Sequence, residues 1–142
     1  MLFRICFLGT AVILVVAGCT QRISPPATVP VSGRVTFKGR PAPGIRVTLH
    51  PQFRMGRVTW GVVGETGPTG EFTIGTGAPG SGAPPGEYIV TFTKPRIAED
   101  LERNGTEMEV DDFRGKYSNP EESNWSVSIV NGENRLEPFE LD

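Results

Sequence analysis

The chain has 142 residues, with 14 Lys and Arg against 16 Asp and Glu, one His and two Cys, for a net charge of −2. That length fits one domain and is short for two. The near-neutral balance, with no basic cluster, argues against nucleic acid as a partner, and a single His leaves no pair for His-based zinc sites or proton relays.

The chain opens with one Arg4, an uncharged and mostly apolar run from Ile5 to Val16, and then Val16-Ala17-Gly18-Cys19. A charged start, a short apolar stretch and small residues at a cleavage point are the parts of a secretory signal. The 12-residue run is shorter than the ~20 apolar residues that cross a bilayer. Residue types 16–19 resemble a lipobox, which implies a signal peptide over 1–18 and lipidation of Cys19. The thiol of Cys19 would take a diacylglyceryl group, and the amine exposed by cleavage would take a fatty acyl chain such as palmitate. One chain binds a membrane reversibly, whereas two or more hold a protein there stably. An ordinary signal peptide with a chance Cys is the alternative. Thr20, rather than Asp, follows the Cys, which resembles the outer-membrane class of lipoproteins, facing the periplasm or the cell surface. Cleavage leaves 124 residues with 13 basic against 16 acidic side chains and no Cys for a disulfide, so stability must come from core burial.

Residues 19–30 are expected to be the lipidated Cys and a tether: Thr20 to Pro30 holds three Pro and little that can enter a core. At ~3.1 Å per residue such a segment lifts a domain roughly 30 Å from the lipid. The folded domain is expected over 31–142.

From Val31 onward the pattern has a period of two, broken by Gly and Pro, which predicts an all-β fold. Val31, Val35 and Phe37 share one face of a first strand, and Ile45, Val47 and Leu49 one face of a second, with a turn over Lys38–Gly44. A third strand is predicted over Arg57 to Gly64 with Val58, Trp60 and Val62 inward, and a fourth over Glu71 to Ile74 with Phe72 and Ile74 inward. Tyr88, Val90 and Phe92 mark a fifth, and Trp125, Val127 and Ile129 a sixth. Leu136 to Leu141 makes a last strand in which Phe139 and Leu141 are out of phase with Leu136. With Pro138 inside it, this should be an edge strand with a bulge or kink. About seven antiparallel strands without a helical period predict an Ig-like or transthyretin-like β-sandwich, with a closed barrel as the alternative. The charged stretch from Lys94 to Lys116 reads as a long surface excursion, in which Ile97 and Leu101 could seat one helical turn ended by Asn104-Gly105.

The succession Val31-Ser32-Gly33-Arg34-Val35-Thr36-Phe37-Lys38-Gly39, Pro43-Gly44-Ile45-Arg46-Val47, Thr69-Gly70-Glu71-Phe72-Thr73-Ile74 and Pro85-Gly86-Glu87-Tyr88-Ile89-Val90 resembles the carboxypeptidase regulatory-like domain, a transthyretin-like (prealbumin-like) sandwich. Gly115 to Pro120 and Ser126 to Asn134 resemble the end of small bacterial lipoproteins carrying that domain. The resemblance implies a non-catalytic β module with no cofactor. Fold alone does not carry function.

Transthyretin-like hydrolases use several His and Arg residues and end in Tyr-Arg-Gly-Ser, whereas this chain has His50 alone and ends Phe139-Glu140-Leu141-Asp142. His50 is out of phase with Ile45, Val47 and Leu49, which predicts an exposed strand-face position rather than a catalytic one. No Gly-x-Ser-x-Gly nucleophile elbow occurs. Glu107, Glu109, Asp111 and Asp112 offer oxygen ligands but lack the spacing of a calcium loop, so a solvated acidic patch is expected. Among aromatics that stack on sugars, Trp60, Trp125 and Tyr88 fall on inward phases, which leaves Tyr117 as the candidate ligand contact. The sequence thus points to a lipid-anchored cell-envelope module with a binding, adhesive or structural role, its partners being membrane lipid through Cys19 and an envelope protein or polysaccharide. The alternatives are a carbohydrate- or envelope-polymer-binding module and, lower, a small hydrolase.

Overall fold

A computed structural model describes residues 22–100 and 103–142; the signal segment and Cys19 lie outside the described residues, as does Leu101. Among those residues the chain forms twelve strands and no α-helix. In order they are β1 (Val31–Phe37), β2 (Arg40–Pro41), β3 (Arg46–Pro51), β4 (Val62–Glu65), β5 (Glu71–Thr73), β6 (Gly75–Thr76), β7 (Gly86–Thr93), β8 (Pro95–Asp100), β9 (Thr106–Asp111), β10 (Ser126–Ile129), β11 (Asn134–Arg135) and β12 (Phe139–Leu141).

One sheet is built around β1. On one side β1 takes β5 and β2 antiparallel; on the other it takes β11 and then β12, both parallel. Lys38 and Gly39 turn β1 into β2 with φ of 51° and 74°, the doubly positive pair that a two-residue type I′ turn requires. The second sheet runs β10-β7-β3-β4-β6 and is antiparallel throughout. β8 and β9 pair only with each other, as a two-stranded ribbon.

Both sheets send side chains into one core, where Ile45, Val47, Leu49, Tyr88, Val90 and Phe92 are almost wholly buried, as their alternation predicts. Each buried side chain of this size contributes roughly 1.5–3 kcal/mol relative to an exposed one. Phe92 of β7 meets Phe139 of β12 edge to face at 5.1 Å, so the two sheets touch through aromatic rings. Polar groups inside are satisfied. Thr66 donates through its hydroxyl to Ala42 O at 2.6 Å and accepts from Ile45 N at 2.8 Å. Tyr88, whose phenol is pushed up to about 12 by burial, donates to Pro84 O at 2.6 Å.

Four sequence expectations change. The predicted third strand starts late, at Val62, because the β3–β4 ladder ends at Thr48↔Val63 while β3 continues against β7 to Pro51. Val58 is therefore exposed and Trp60 half-buried in a connecting loop.

The last predicted strand is an edge strand, and it is interrupted: Val31 aligns with Asn134 but Val35 with Phe139, an offset that grows by one residue across Leu136–Pro138. That extra residue brings Phe139 and Leu141 back to the buried face. The strand runs parallel to β1, correcting the all-antiparallel expectation, because it enters from β10 of the other sheet rather than through a hairpin.

The Lys94–Lys116 excursion holds the β8–β9 ribbon and a following turn, with Ile97 on strand β8 and Leu101 outside the described residues. Asn104 and Gly105, both at positive φ, serve as its hairpin bend. Finally, folded structure begins before Val31. Thr28 donates to Ser81 O at 2.5 Å, and Val29 pairs with Ala83 through hydrogen bonds in both directions.

Candidate functional site

Tyr117, expected as the freer aromatic, is only 8% exposed. Its ring sits edge to face with Phe113 at 5.2 Å and with Trp125 at 5.9 Å, and its hydroxyl donates to the backbone oxygen of Asp142. Lys116 lies 4.9 Å above the same ring and also donates to Asp142 O, at 2.7 Å. The turn over 111–117 presses the ring inward. The carboxylate of Asp111 accepts from the backbone N–H of Lys94, Phe113 and Gly115, while Arg114 and Gly115 adopt φ of 54° and 79°. An Asp at the head of a Gly-containing turn is the signal in the sequence; period-two reasoning does not apply in a turn.

His50 lies on the outer face of β3, half-buried rather than exposed. Its Nε2 is 2.8 Å from the Thr91 hydroxyl on β7. That distance suits a base and a hydroxyl nucleophile. Thr91 is 4% exposed, however, so a substrate has no approach to its oxygen. Burial lowers the His50 pKa and favours the neutral imidazole, which ties the two strands together.

Of the acidic residues on β9 and beyond, Glu109, Asp111 and Asp112 are committed to protein donors, while Glu107 is exposed. Arg46 makes a two-pronged contact to Glu109 at 2.8 and 3.2 Å, which raises the arginine and lowers the carboxylate, in each case chiefly through that hydrogen bond. Asp112 accepts from Arg96, and Asp111 holds the turn. Among the described residues, no group of three or more His, Cys, Asp or Glu is arranged to hold a metal ion.

Of the surface hollows among the described residues, two border Trp60 or the glycines beside it. A groove of about 380 Å³ runs over β4 and β6, floored by Gly61, Gly64, Gly75 and Gly77 and flanked by Val63. A Cβ on Gly77 would come within 2.9 Å of the Trp60 ring, so this glycine lets the indole lie against the backbone. A second hollow of about 440 Å³ is lined by Arg22 and Ile23 of the incoming chain and by Met55, Arg57, Val58 and Trp60 of the β3–β4 loop. By sequence these two segments read separately, as a tether and a strand. Their shared signal, Arg interleaved with apolar residues and no acid, is visible in both.

No family model matches the chain, and no curated protein matches it. The structure of a 9R-lipoxygenase from Cyanothece superposes on 84% of this chain at 14% identity, with a TM-score of 0.47. The chain spans 17% of the length of that lipoxygenase. What stands for the described residues is a nearly all-β domain, largely antiparallel, in which His50, Tyr117 and Glu109 are engaged within the fold.

Proposed function

We propose that this chain is a lipid-anchored module of the cell envelope, a β-sandwich of the carboxypeptidase regulatory-like kind with a non-catalytic binding, adhesive or structural role. The observation that carries this reading is the order of parts: the apolar run Ile5–Val16, then Ala17-Gly18-Cys19, a short Pro-containing segment, and a β domain that begins at Thr28. Each part has a use only in that order, since an acylated Cys holds a domain at a membrane through the chain that follows it. The Phe92–Phe139 contact between β7 and β12 supports two sheets packed face to face. Because Val29 is already tied to Ala83, the tether in this reading is Thr20 to Ala27, eight residues that reach ~25 Å when extended. The domain would sit in the envelope, in the outer membrane by the identity of Thr20.

The test is mass spectrometry of the Cys19 peptide, together with membrane fractionation of wild type and Cys19→Ala. An acylated N-terminal Cys19, and release of the variant from membranes, is the expected result. An unmodified Cys19 overturns the anchor. Cross-linking in native cells then separates an accessory subunit of an envelope complex, which would give one recurrent protein neighbour, from a free-standing module.

The second reading, a carbohydrate- or envelope-polymer-binding module, is favoured by the glycine-floored groove over β4 and β6 with Arg46 and Glu65 at its rim. A flat apolar floor with a few polar groups suits a sugar face. Silence on a glycan array together with no polymer pull-down removes it. A small hydrolase would require turnover by the purified protein that is lost on His50→Ala.

A further inference from the structure

The hollow between the incoming chain and the β3–β4 loop has a composition and a position that fit one kind of partner. Arg22 and Arg57 line it and are exposed, as is Arg54 in the same loop, with Ile23 63% and Val58 37% exposed and Trp60 half-buried beside them. Neither residues 22–30 nor residues 52–60 contain an Asp or Glu.

The position follows from the strand ladder. Pro51 pairs with Tyr88, and Gln52 N donates to Glu87 O, so the 52–60 loop leaves the sheet where β7 begins. The Val29–Ala83 pairing brings the incoming chain to the loop that precedes β7. At the other end of β3, ~20 Å away for six residues, Arg46 holds Glu109 of the acidic ribbon.

We propose that Arg22, Arg54 and Arg57, with Ile23, Val58 and Trp60, form a surface that docks the domain against an anionic lipid bilayer. This rests on the lipid-anchor reading, in which Cys19 sits at the bilayer surface. Arg22 follows Cys19 by three residues, which extend to at most ~11 Å, about one Debye length at 0.1 M salt. The residues lining the hollow with Arg22 are therefore held near the same plane. Arginine is drawn to anionic headgroups and Trp settles at the membrane interface, so the two residue types complement one target.

The experiment uses the full chain, reconstituted from detergent into phosphatidylcholine vesicles with and without 30 mol% phosphatidylglycerol (about that fraction gives a clearly negative surface). Brominated lipid is the quencher, and the signal is the difference between wild type and W60F, which removes the contribution of Trp125. The expected result is quenching of Trp60 on anionic vesicles, weaker on neutral ones and reversed by salt. R54Q/R57Q should lower the docking equilibrium roughly 25-fold, at about fivefold per arginine. Equal quenching on both vesicle types, or none, overturns the proposal, and the salt titration of wild type decides between these outcomes without any arginine variant. The mass of the Cys19 peptide from the same vesicles keeps the two readings apart. An acylated chain with unquenched Trp60 overturns docking alone, and a quenched chain with unmodified Cys19 overturns the anchor alone.

Discussion

Phe72 on β5 lies across Gly33, its ladder partner on β1, so closely that a Cβ at position 33 would stand 2.5 Å from the ring Cζ. The ring is 3% exposed and stacks on Phe139 at 6.3 Å, so a Cβ that displaces it disturbs a buried aromatic contact. Gly33→Ala is therefore expected to destabilise the domain by about 1–3 kcal/mol, as overpacking does. Urea unfolding measures it. A second change, Phe72→Leu, should recover part of the loss in the Gly33→Ala background, and simple additivity of the two would show that the contact is not the cause.

Thr66 joins the backbones of Ala42 and Ile45 through one buried hydroxyl. Thr66→Val keeps the shape and strands both backbone groups, an expected cost of about 1–3 kcal/mol. Thr66→Ser keeps the hydroxyl and should lose clearly less. Equal losses in the two variants would assign the effect to the methyl group instead.

His50 has its pKa lowered by burial in the folded chain, below the ordinary 6.5 that it recovers on unfolding. Between those two values the unfolded chain binds more protons, so stability rises with pH there. The contribution of neutral His50 is complete above about pH 6.5 and is lost as pH falls through the folded value. The drop in urea midpoint from pH 8 to pH 5 should be larger for wild type than for His50→Gln. The same drop in both would exclude His50 as the cause.

Arg46 and Glu109 connect the second sheet to the β8–β9 ribbon, and both side chains are substantially exposed. Solvent and salt screen such a pair, so Glu109→Gln should leave the global melting temperature nearly unchanged. Hydrogen exchange should nevertheless rise in the ribbon, from Pro95 to Asp111, and not in β3 or β7. Unaltered exchange would mean that the ribbon is positioned by its own turn and by Asp111.

The alternating runs Ile45/Val47/Leu49 and Tyr88/Val90/Phe92 were legible because each strand has one buried face, and burial imposes a period of two on the residues themselves. The bulge near Pro138 was legible too, since a phase break beside a residue without an N–H leaves few other solutions. The β8–β9 ribbon was not. Most of its residues face solvent, Glu99 stands opposite Glu107, and the alternation of Met108 and Val110 with Glu107, Glu109 and Asp111 on β9 leads no side chain into the core.

Amino-acid order by itself determined the β class, the core faces of β3 and β7 and the place of the broken edge strand, because these depend on neighbours one or two residues apart. Only tertiary structure decided that β1 pairs in parallel with the chain end, that Tyr117 is covered, and that Arg22 and Trp60 line one hollow. Those outcomes join segments far apart in the chain, as Arg22 and Trp60 or Val35 and Phe139 are, and no local pattern records which distant segment will supply the partner.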